Sequence, residues 1–306
     1  MQIGIAGAGA VGCFFGGLLQ QAGHKVTFVA RGKHLKELQK NGLTINKDED
    51  ILHIDRTFTD DLIDLSECEL ILFCVKSNDT ERMAKQLLPV INKNALILTM
   101  QNGVDNEEVL CNIFGSDRVL SAATYVQAFL EAPGKVRQQG RVKLVIGGLD
   151  NVTTQVGLAV AETFQQAGIE TKQAHNVLEK KWKKLLWNIT FNPLSAIVQA
   201  QVGELLDDEH LRKTAACISE EAIEVAIRAG ISMDSEQTLS VIFANAEHAR
   251  SHQTSMLQDR LQGKRMEVEA MCGYIVRRGA ALDVPTPTIN TVYSLLKFID
   301  QKVKKS

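Results

Sequence analysis

The chain has 306 residues, 45% of them hydrophobic and 23% charged, a composition typical of a folded protein of two domains. Its 34 basic and 36 acidic residues give a net charge of −2, which provides no electrostatic attraction to nucleic acid or to an anionic membrane. The six cysteines form no CxxC pair and no zinc-binding pattern with histidine, so we expect no metal site, and reduced thiols in a cytoplasmic protein. Because Met1 leads directly into the apolar segment Ile3–Ala6, we expect no cleavable secretory signal, and the longest apolar stretches are too short to span a membrane.

Short apolar runs alternate with helical patterns through the first 150 residues. The apolar runs are rich in Val, Ile, Leu and Phe, which is typical of parallel strands buried on both faces. We predict strands at Gln2–Ala6, Lys25–Ala30, Leu70–Val75, Ala95–Met100 and Val119–Val126, with helices at Gly12–Gln21, His34–Asn41, Asn78–Leu88 and Asn106–Phe114. This alternation predicts an α/β fold whose N-terminal domain is a Rossmann-type doubly wound sheet.

Two further pairs of segments are predicted to form antiparallel hairpins, each with a polar turn between its strands. The pairs and their turns are Leu43–Asn46 and Ile51–Asp55 around Lys47–Asp50, and Gly134–Gln138 and Val142–Ile146 around Gln139–Arg141.

The pattern becomes helical after residue 174, and the strand signals end there. Long stretches with helical periodicity are found at Asn176–Phe191, Glu209–Ala229, Ser235–Ala249, Glu267–Arg278 and Thr288–Asp300. Pro193 is predicted to end the first of these helices, and Gly230 and Gly279 stand where C-terminal caps are expected. We therefore predict a Rossmann domain over residues 1–174 and an all-α domain over residues 175–306.

A glycine-rich loop follows the first predicted strand and leads into the first helix. Its residues are Gly7, Ala8, Gly9, Ala10, Val11 and Gly12. In a dinucleotide-binding loop, Gly7 permits the tight turn, Gly9 lets the backbone approach a pyrophosphate, and Gly12 allows close packing of helix on strand. The N-terminus of the helix then faces the phosphates with free N–H groups. The strand–loop–helix context favours dinucleotide binding over a glycine turn of structural importance only.

The end of the second predicted strand bears on the choice between NAD and NADP. NAD-dependent proteins usually place an acidic residue there, which accepts a hydrogen bond from the ribose 2′-hydroxyl. This chain has Arg31 instead, which favours binding of the 2′-phosphate of NADP. Lys33 and His34 are further candidates for that contact. The alternative is that Arg31 is an ordinary exposed loop residue.

Polar residues also follow the third and fourth predicted strands, at the edge of the sheet where open α/β folds bind ligands. Lys76 stands after one strand and can reach a phosphate or a carboxylate. Asn102 stands after the next and can hydrogen-bond a ribose or an amide. The alternative is ordinary loop chemistry, since Asn-Gly is a common turn.

Lys184, Asn188 and Asn192 are spaced i, i+4 and i+8, which puts them on one face of a helix. The other side carries apolar residues that we expect in the core, namely Leu185, Leu186 and Ile189. Two asparagines on one stripe are unusual for a solvent-facing helix, since asparagine is a modest helix former. The stripe therefore indicates a polar site in which Lys184 donates to a carbonyl oxygen. The alternative is that Lys184 belongs to a solvated cluster, Lys180–Lys184.

These motifs, in this order and spacing, resemble the ketopantoate reductase (2-dehydropantoate 2-reductase) family over nearly the whole chain. The resemblance continues through the segment Ser255–Asp259, Glu267 and the segment Pro285–Pro287. It implies an oxidoreductase that uses NADPH to reduce the 2-keto group of ketopantoate to pantoate, on the pathway to pantothenate and coenzyme A. The substrate implied is thus a small 2-keto acid.

The resemblance also implies roles for individual residues. Lys184 matches the lysine that polarises the ketone and donates the proton, and Glu267 matches an acidic residue that contacts substrate and helps to position that lysine. The other substrate-binding positions implied are Asn188, Asn192 and Ser255. Asn102 matches an asparagine that bridges cofactor and substrate, and Lys76 matches a lysine at the boundary between them.

Two positions depart from the family pattern and keep other functions open. The family commonly has Glu-x-Asp where this chain has Glu267-Val268-Glu269, and Asn-Gly where it has Cys272-Gly273. The alternatives are a reductase of another 2-keto acid or of an imine, and an NADPH-binding module without catalytic activity. A homodimer is compatible with either.

Overall fold

The computed structural model describes residues 1–48, 50–55 and 57–303. Glu49, in the turn predicted at Lys47–Asp50, lies outside the described residues. The chain divides into two compact units, which we call the sheet unit (Met1–Asn102 and Asn106–Lys180) and the helical unit (Gly103–Asp105 and Lys181–Ser306). The boundary between them lies after Lys180, whereas the sequence pattern placed it after residue 174.

The sheet unit contains all the described strands of the chain. In order, its elements are β1 (Gln2–Ala6), α1 (Ala10–Gln21), β2 (Lys25–Val29), α2 (Gly32–Asn41), β3 (Leu43–Lys47), β4 (Asp50–Ile54), β5 (Thr57–Thr59), β6 (Leu70–Phe73), α3 (Thr80–Leu87), β7 (Leu96–Thr99), α4 (Asn106–Phe114), β8 (Val119–Ala132), β9 (Lys135–Gly148), α5 (Asn151–Gln166) and β10 (Thr171–Gln173). The sheet order is β4-β3-β9-β8-β7-β6-β1-β2-β5, and β10 pairs with β9.

The strands from β8 to β5 in this order are parallel to their neighbours, and the chain leaves β1 for β2 on one side and later enters β6 on the other. This arrangement is a doubly wound sheet, and the predicted N-terminal Rossmann fold is confirmed. The carboxyl ends of β1, β6 and β7 meet at one edge because the three strands are parallel neighbours. The loops after these strands therefore lie side by side.

One of the two predicted hairpins is confirmed and the other is wrong. β3 and β4 pair antiparallel, with Leu43 opposite Ile54. The second hairpin instead joins β8 to β9 through a turn at Gly134, whose φ is +72°. The predicted turn Gln139–Arg141 lies inside β9, where the register shifts between the pairs Tyr125–Lys143 and Gln127–Gln139. Gly140 has a positive φ, but the chain does not reverse there. The residue lies instead where the pairing of β8 with β9 is irregular.

Helix α5 had no counterpart in the predicted pattern. It begins at a capping box in which the side chain of Asp150 accepts a hydrogen bond from the Thr153 backbone at 2.8 Å. Asp150 is a usual N-cap residue, so the start of this helix could have been predicted from the sequence, although Thr153 replaces the usual Glu or Gln of the capping box.

The helical unit confirms the predicted all-α C-terminal domain. Its helices are α6 (Val177–Val198, which begins in the last residues of the sheet unit), α7 (Val202–Asp207), α8 (Glu209–Arg228), α9 (Ser235–His248), α10 (Ser255–Leu261), α11 (Tyr274–Ala281) and α12 (Pro287–Val303). Among the helices of the described residues, none is both long and apolar enough to cross a membrane.

Pro193 does not end its helix, contrary to the prediction. It lies inside α6, buried together with Phe191 and Leu194. A proline in a helix interior costs about 3 kcal/mol, and burial of apolar side chains on both sides of it offsets that cost. The helix ends later, where the guanidinium of Arg260 donates to the carbonyl oxygens of Ala196 and Ile197.

The two glycines predicted as C-terminal caps behave differently. Gly230 follows α8 with a φ of +88°, as predicted. Gly279 lies within α11, so its predicted role as a cap is wrong. A Cβ at Gly279 would lie 2.9 Å from the carbonyl oxygen of Val284, so the glycine instead allows the chain that follows α11 to pack closely against the helix.

Candidate functional site

The glycine loop of the sheet unit has the backbone geometry that the motif predicts. Gly7 has a φ of +102°, which only glycine adopts without strain. A Cβ on Gly12 would lie 2.4 Å from the carbonyl oxygen of Gly7, so this position tolerates no side chain. For Gly9, no heavy atom of the described residues, other than those of its two neighbours in the chain, lies within 4 Å of the position of a Cβ. The space over Gly9 is therefore open to a ligand that approaches the backbone.

Helix α1 begins at Ala10, directly after this open position. Gly9 is its N-cap, and in the described structure no side chain hydrogen-bonds to the first turn. The N–H groups at a helix N-terminus and the helix dipole together favour an anion. The loop and helix can thus hold the pyrophosphate of a dinucleotide, since the first turn offers backbone donors that no side-chain cap occupies.

Arg31 ends the loop after β2 and extends into solvent, with its side chain 78% exposed. Its guanidinium donates to the carboxylate of Asp79 at 3.2 Å. The other oxygen of Asp79 accepts from Arg82 at 2.7 Å. Asp79 comes from the loop after β6, 48 residues along the chain, so its place beside Arg31 could not be predicted from the residues next to Arg31.

The two neighbours that were further candidates for a phosphate contact differ. Lys33 is exposed. His34 is turned into the protein, where its Nδ1 accepts from the Gly134 backbone at 3.0 Å and its Nε2 lies 3.6 Å from the sulfur of Cys13. Burial lowers the pKa of His34, which favours a neutral ring. This histidine is therefore unsuited to hold a phosphate.

The loops after β6 and β7 are joined by a buried network of polar side chains. The Gln101 amide donates to the Thr80 hydroxyl at 2.7 Å, and that hydroxyl donates to the Asn106 carbonyl at 2.8 Å. The Asn106 amide in turn donates to the backbone carbonyl of Asn102 at 2.8 Å. Lys76 is exposed and Asn102 is half-buried on this shared scaffold. The supporting network was missed because its members are separated in the chain.

In the helical unit, α6 carries the predicted stripe. Lys184 and Asn188 are half-buried, and Asn192 is buried. The apolar residues predicted on the other side are in the core, and this part of the prediction is confirmed for Leu185, Leu186 and Ile189.

Lys184 lies beside one cationic and one anionic side chain. Burial and, to a lesser extent, the charge of Lys181 lower the pKa of its amine, whereas the charge of Glu267 raises it, and the resulting pKa is about 8. Lys181 is only 4% exposed, so the alternative of a solvated cluster does not hold for this lysine. The burial of Lys181 could not be predicted from the sequence, because its neighbours Lys180 and Lys183 are also lysines and are exposed. A lysine tuned in this way can give up a proton near neutral pH.

Asn192 carries an oxygen that lacks a partner in the protein. Its side chain is 2% exposed, and among the described residues no donor reaches its Oδ1. Its Nδ2 lies 3.8 Å from the sulfur of Met271, which is a weak acceptor. A buried polar atom without a hydrogen bond costs about 1–3 kcal/mol. A bound molecule that donates a hydrogen bond to this oxygen would remove that cost.

Glu267 is 8% exposed and precedes an unusual helical turn. The Gly273 backbone donates to the Val268 carbonyl at 3.0 Å, so residues Glu269–Gly273 form a π-helical turn before α11. Such turns are frequent at functional sites. The helix predicted to begin at Glu267 therefore begins two residues later, and Glu267 itself lies just outside it.

Ser255 and Glu269 complete the set of residues singled out in this unit. Ser255 is exposed and is the first residue of α10, after the capping residue Thr254. The carboxylate of Glu269 accepts hydrogen bonds from Arg277, Tyr293 and Lys297, at 2.8, 2.9 and 2.5 Å in that order. Burial raises the pKa of Glu269, but these three donors outweigh burial and leave it below its usual value.

Comparison with known proteins covers both units. The model of the ketopantoate reductase PanE/ApbA family matches residues 3–151, and the model of the C-terminal part of that family matches residues 176–300.

Relatives and solved structures agree with these matches. A 2-dehydropantoate 2-reductase of Archaeoglobus fulgidus is 31% identical over 301 residues, covering 98% of each chain. The crystal structure of a ketopantoate reductase of the PanE/ApbA family from Ralstonia eutropha is 34% identical, with a TM-score of 0.93 over 99% of this chain and 100% of that one. A D-mandelate dehydrogenase solved with NADH and anilino(oxo)acetate has the same fold, with a TM-score of 0.93 over 99% and 100% of the two chains at 24% identity. The chain belongs to the ketopantoate reductase family of oxidoreductases.

Proposed function

We propose that this chain is a cytoplasmic enzyme that uses NADPH to reduce the 2-keto group of 2-dehydropantoate (ketopantoate) to pantoate, for the synthesis of pantothenate and coenzyme A. The observation that carries the proposal is the amine of the half-buried residue Lys184, which has Glu267 in electrostatic range and a pKa of about 8, in a family of reductases. Relatives named 2-dehydropantoate 2-reductase support this substrate.

The residues of the sheet unit fit a dinucleotide. The open backbone over Gly9 and the uncapped N-terminus of α1 suit a pyrophosphate. Arg31 would bind the 2′-phosphate of NADPH, and Lys76 and Asn102 would contact the remainder of the nucleotide. When bound, the nicotinamide supplies the hydride that goes to C2 of the keto acid.

Lys184 performs the acid chemistry. Its ammonium group donates a hydrogen bond to the ketone oxygen, stabilises the negative charge that grows there and then donates the proton that makes the hydroxyl group. At pH 7, a group with a pKa near 8 is protonated about ten times in eleven, so the acid is ready before each turnover. Glu267 favours this charged form by its own negative charge.

The polar stripe of α6 orients the substrate. The unpartnered Oδ1 of Asn192 would accept a hydrogen bond from a hydroxyl group of the substrate. Asn188 and Ser255 would bind its other oxygens. A site with buried polar groups discriminates strongly against a substrate that leaves them unpaired.

The test is oxidation of NADPH by the purified protein with 2-dehydropantoate, run beside NADH and a panel of other 2-keto acids and imines. Fast turnover of 2-dehydropantoate with a preference for NADPH is expected. Turnover of another member of the panel alone would transfer the proposal to that substrate. Tight binding of NADPH with no turnover on any member would indicate a binding module without activity.

A further inference from the structure

One face of helix α12 holds the chain on both sides of Glu267. Tyr293, Lys297 and Asp300 are spaced i, i+4 and i+7, which puts them on the same face of that helix. All three contact residues of the segment 265–269, and we call them the α12 clamp.

The anchor before Glu267 is a buried carboxylate. Asp300 is 6% exposed, and its Oδ1 accepts from the backbone N–H of Met266 at 2.8 Å. Its Oδ2 lies 3.4 Å from the guanidinium of Arg265, and the two side chains form an ion pair in which the arginine is exposed. A charged acceptor makes a stronger hydrogen bond than a neutral one, so the backbone at Met266 is firmly placed.

The anchor after Glu267 is the carboxylate of Glu269. Its Oε1 accepts from the Tyr293 hydroxyl and from the Lys297 ammonium group, and its Oε2 accepts from Arg277. With these donors the carboxylate stays ionised near neutral pH, since they lower its pKa. Helix α12 therefore binds the chain at Met266, one residue before Glu267, and at Glu269, two residues after it.

The length of Glu269 matters for this anchor. A Cβ on Gly273 would lie 2.6 Å from the Oε2 atom of Glu269, so the carboxylate lies directly against that glycine. An aspartate at this position would be shorter by one bond, about 1.5 Å. From this backbone it would withdraw from Tyr293 and Lys297, so the glutamate of this chain suits its clamp.

We propose that the α12 clamp positions Glu267 by fixing the backbone at Met266 and at Glu269, and so keeps the carboxylate of Glu267 in range of the Lys184 amine. Its catalytic consequence rests on the proposed function, whereas its effect on Lys184 does not. Tyr293, Lys297 and Asp300 are positioning residues, since they act through Glu267.

The test compares Lys297→Met and Tyr293→Phe with a matched control, Lys302→Met, which removes an exposed lysine from the same helix. The first readout is the pKa of the Lys184 amine, measured by competitive acetylation with acetic anhydride over a range of pH and quantified by mass spectrometry. Lys181 and Glu267 are the charged groups that shift this pKa, and none of the three variants removes either of them. The second readout is turnover, with kcat and KM determined separately.

In the double variant of Lys297→Met and Tyr293→Phe, we expect the pKa of Lys184 to fall below its wild-type value, because Glu267 no longer opposes burial and Lys181. We expect kcat to fall by roughly tenfold to a hundredfold, as for a misplacement of about 1 Å, with unchanged KM for NADPH. The single variant Lys297→Arg should keep the pKa of Lys184 and kcat close to their wild-type values, since arginine also donates to Glu269. Lys302→Met should match the wild type in both.

An unchanged Lys184 pKa in the double variant, with or without loss of turnover, would overturn the inference, because a merely structural role leaves that pKa in place. Asp300→Asn gives a second and independent arm, in which the anchor before Glu267 loses its charge and the same fall in pKa is expected. Circular dichroism and thermal unfolding establish that each variant is folded. If the wild type reduces no 2-keto acid, the proposed function fails, and the acetylation result still decides the inference about the clamp.

Discussion

The glycine loop of the sheet unit and the Lys184 site of the helical unit are built in opposite ways. The loop depends on the backbone, through the positive φ of Gly7 and the missing Cβ of Gly12, within one short stretch of chain. The Lys184 site depends on side chains that distant segments bring together, such as Glu267 before α11. Substitutions in the loop should therefore affect nucleotide binding, and substitutions at the lysine should affect turnover.

The largest expected effect is that of Lys184→Ala. Loss of one preorganised donor to a developing oxyanion costs roughly 10²–10³-fold in kcat, about 3–4 kcal/mol. The dissociation constant of NADPH should be unchanged, because the proposed nucleotide contacts lie in the sheet unit. Steady-state kinetics and fluorescence titration with NADPH provide the two measurements.

Lys183→Ala is the matched control for this prediction, since Lys183 is the exposed neighbour on the same helix. It should retain nearly full turnover. Equal loss of turnover and of nucleotide affinity in Lys184→Ala would mean that the lysine supports the fold, and the contrast between the two regions would fail.

The next effect separates two glycines of the same loop. Gly9→Ala adds a methyl group where, beyond the two neighbouring residues in the chain, no atom of the described residues lies within 4 Å, so the protein should fold with unchanged thermal stability. The methyl group would occupy the space proposed for the pyrophosphate, and we expect NADPH to bind roughly tenfold to a hundredfold more weakly, the equivalent of about 1–3 kcal/mol of overpacking. Isothermal titration calorimetry measures the change.

Gly12→Ala is the companion variant with the opposite signature. Its Cβ would lie 2.4 Å from the Gly7 carbonyl, so the melting temperature should fall together with nucleotide affinity. Unchanged affinity in Gly9→Ala would show that no ligand approaches the backbone there, and the loop would be a structural turn.

Arg31→Ala should alter selectivity rather than stability. Its charge-assisted contact with a 2′-phosphate is worth roughly 1.5–3 kcal/mol, so the preference for NADPH over NADH should fall by about 10–100-fold. The ratio of the two dissociation constants is the measurement. Weakening of NADH and NADPH to the same extent would refute a specific phosphate contact.

The smallest effect is expected at Asp79, which competes for Arg31 in the absence of nucleotide. An exposed ion pair is worth about 0.2–1 kcal/mol, so Asp79→Asn should strengthen NADPH binding by up to about fivefold and leave NADH unaffected. Glu81→Gln removes a nearby carboxylate that pairs with Lys85 and serves as the control. Tighter binding of NADPH in both variants would assign the effect to net charge alone.

The same contrast explains what the sequence could predict. The glycine loop, the parallel strands and the apolar side of α6 follow local spacing, so they were predictable. The turn at Gly134 and the continuous helix through Pro193 were mispredicted, because strand pairing and burial outweighed the local preference of glycine and proline.

The candidate site was predictable only in part for a related reason. Lys184 stood out through its spacing with the two asparagines, whereas the burial of Lys181 and the carboxylate of Asp79 beside Arg31 depend on contacts between distant segments. The spacing of Tyr293, Lys297 and Asp300 in the sequence places them on one helix face. Only the fold shows that this face contacts the segment 265–269.

The role of Lys184 as proton donor can be tested by the pH dependence of single-turnover hydride transfer in the wild type and in Lys184→Ala. The reaction with 2-dehydropantoate is followed by the absorbance of the nicotinamide. Since the acid form of Lys184 is required and its pKa is about 8, the wild-type rate should be highest below that pH and fall as the pH rises through it. The variant should be slow and should lack this fall. The same fall in the variant, or a wild-type rate that stays constant well above pH 8, would contradict the assignment of Lys184 as the proton donor.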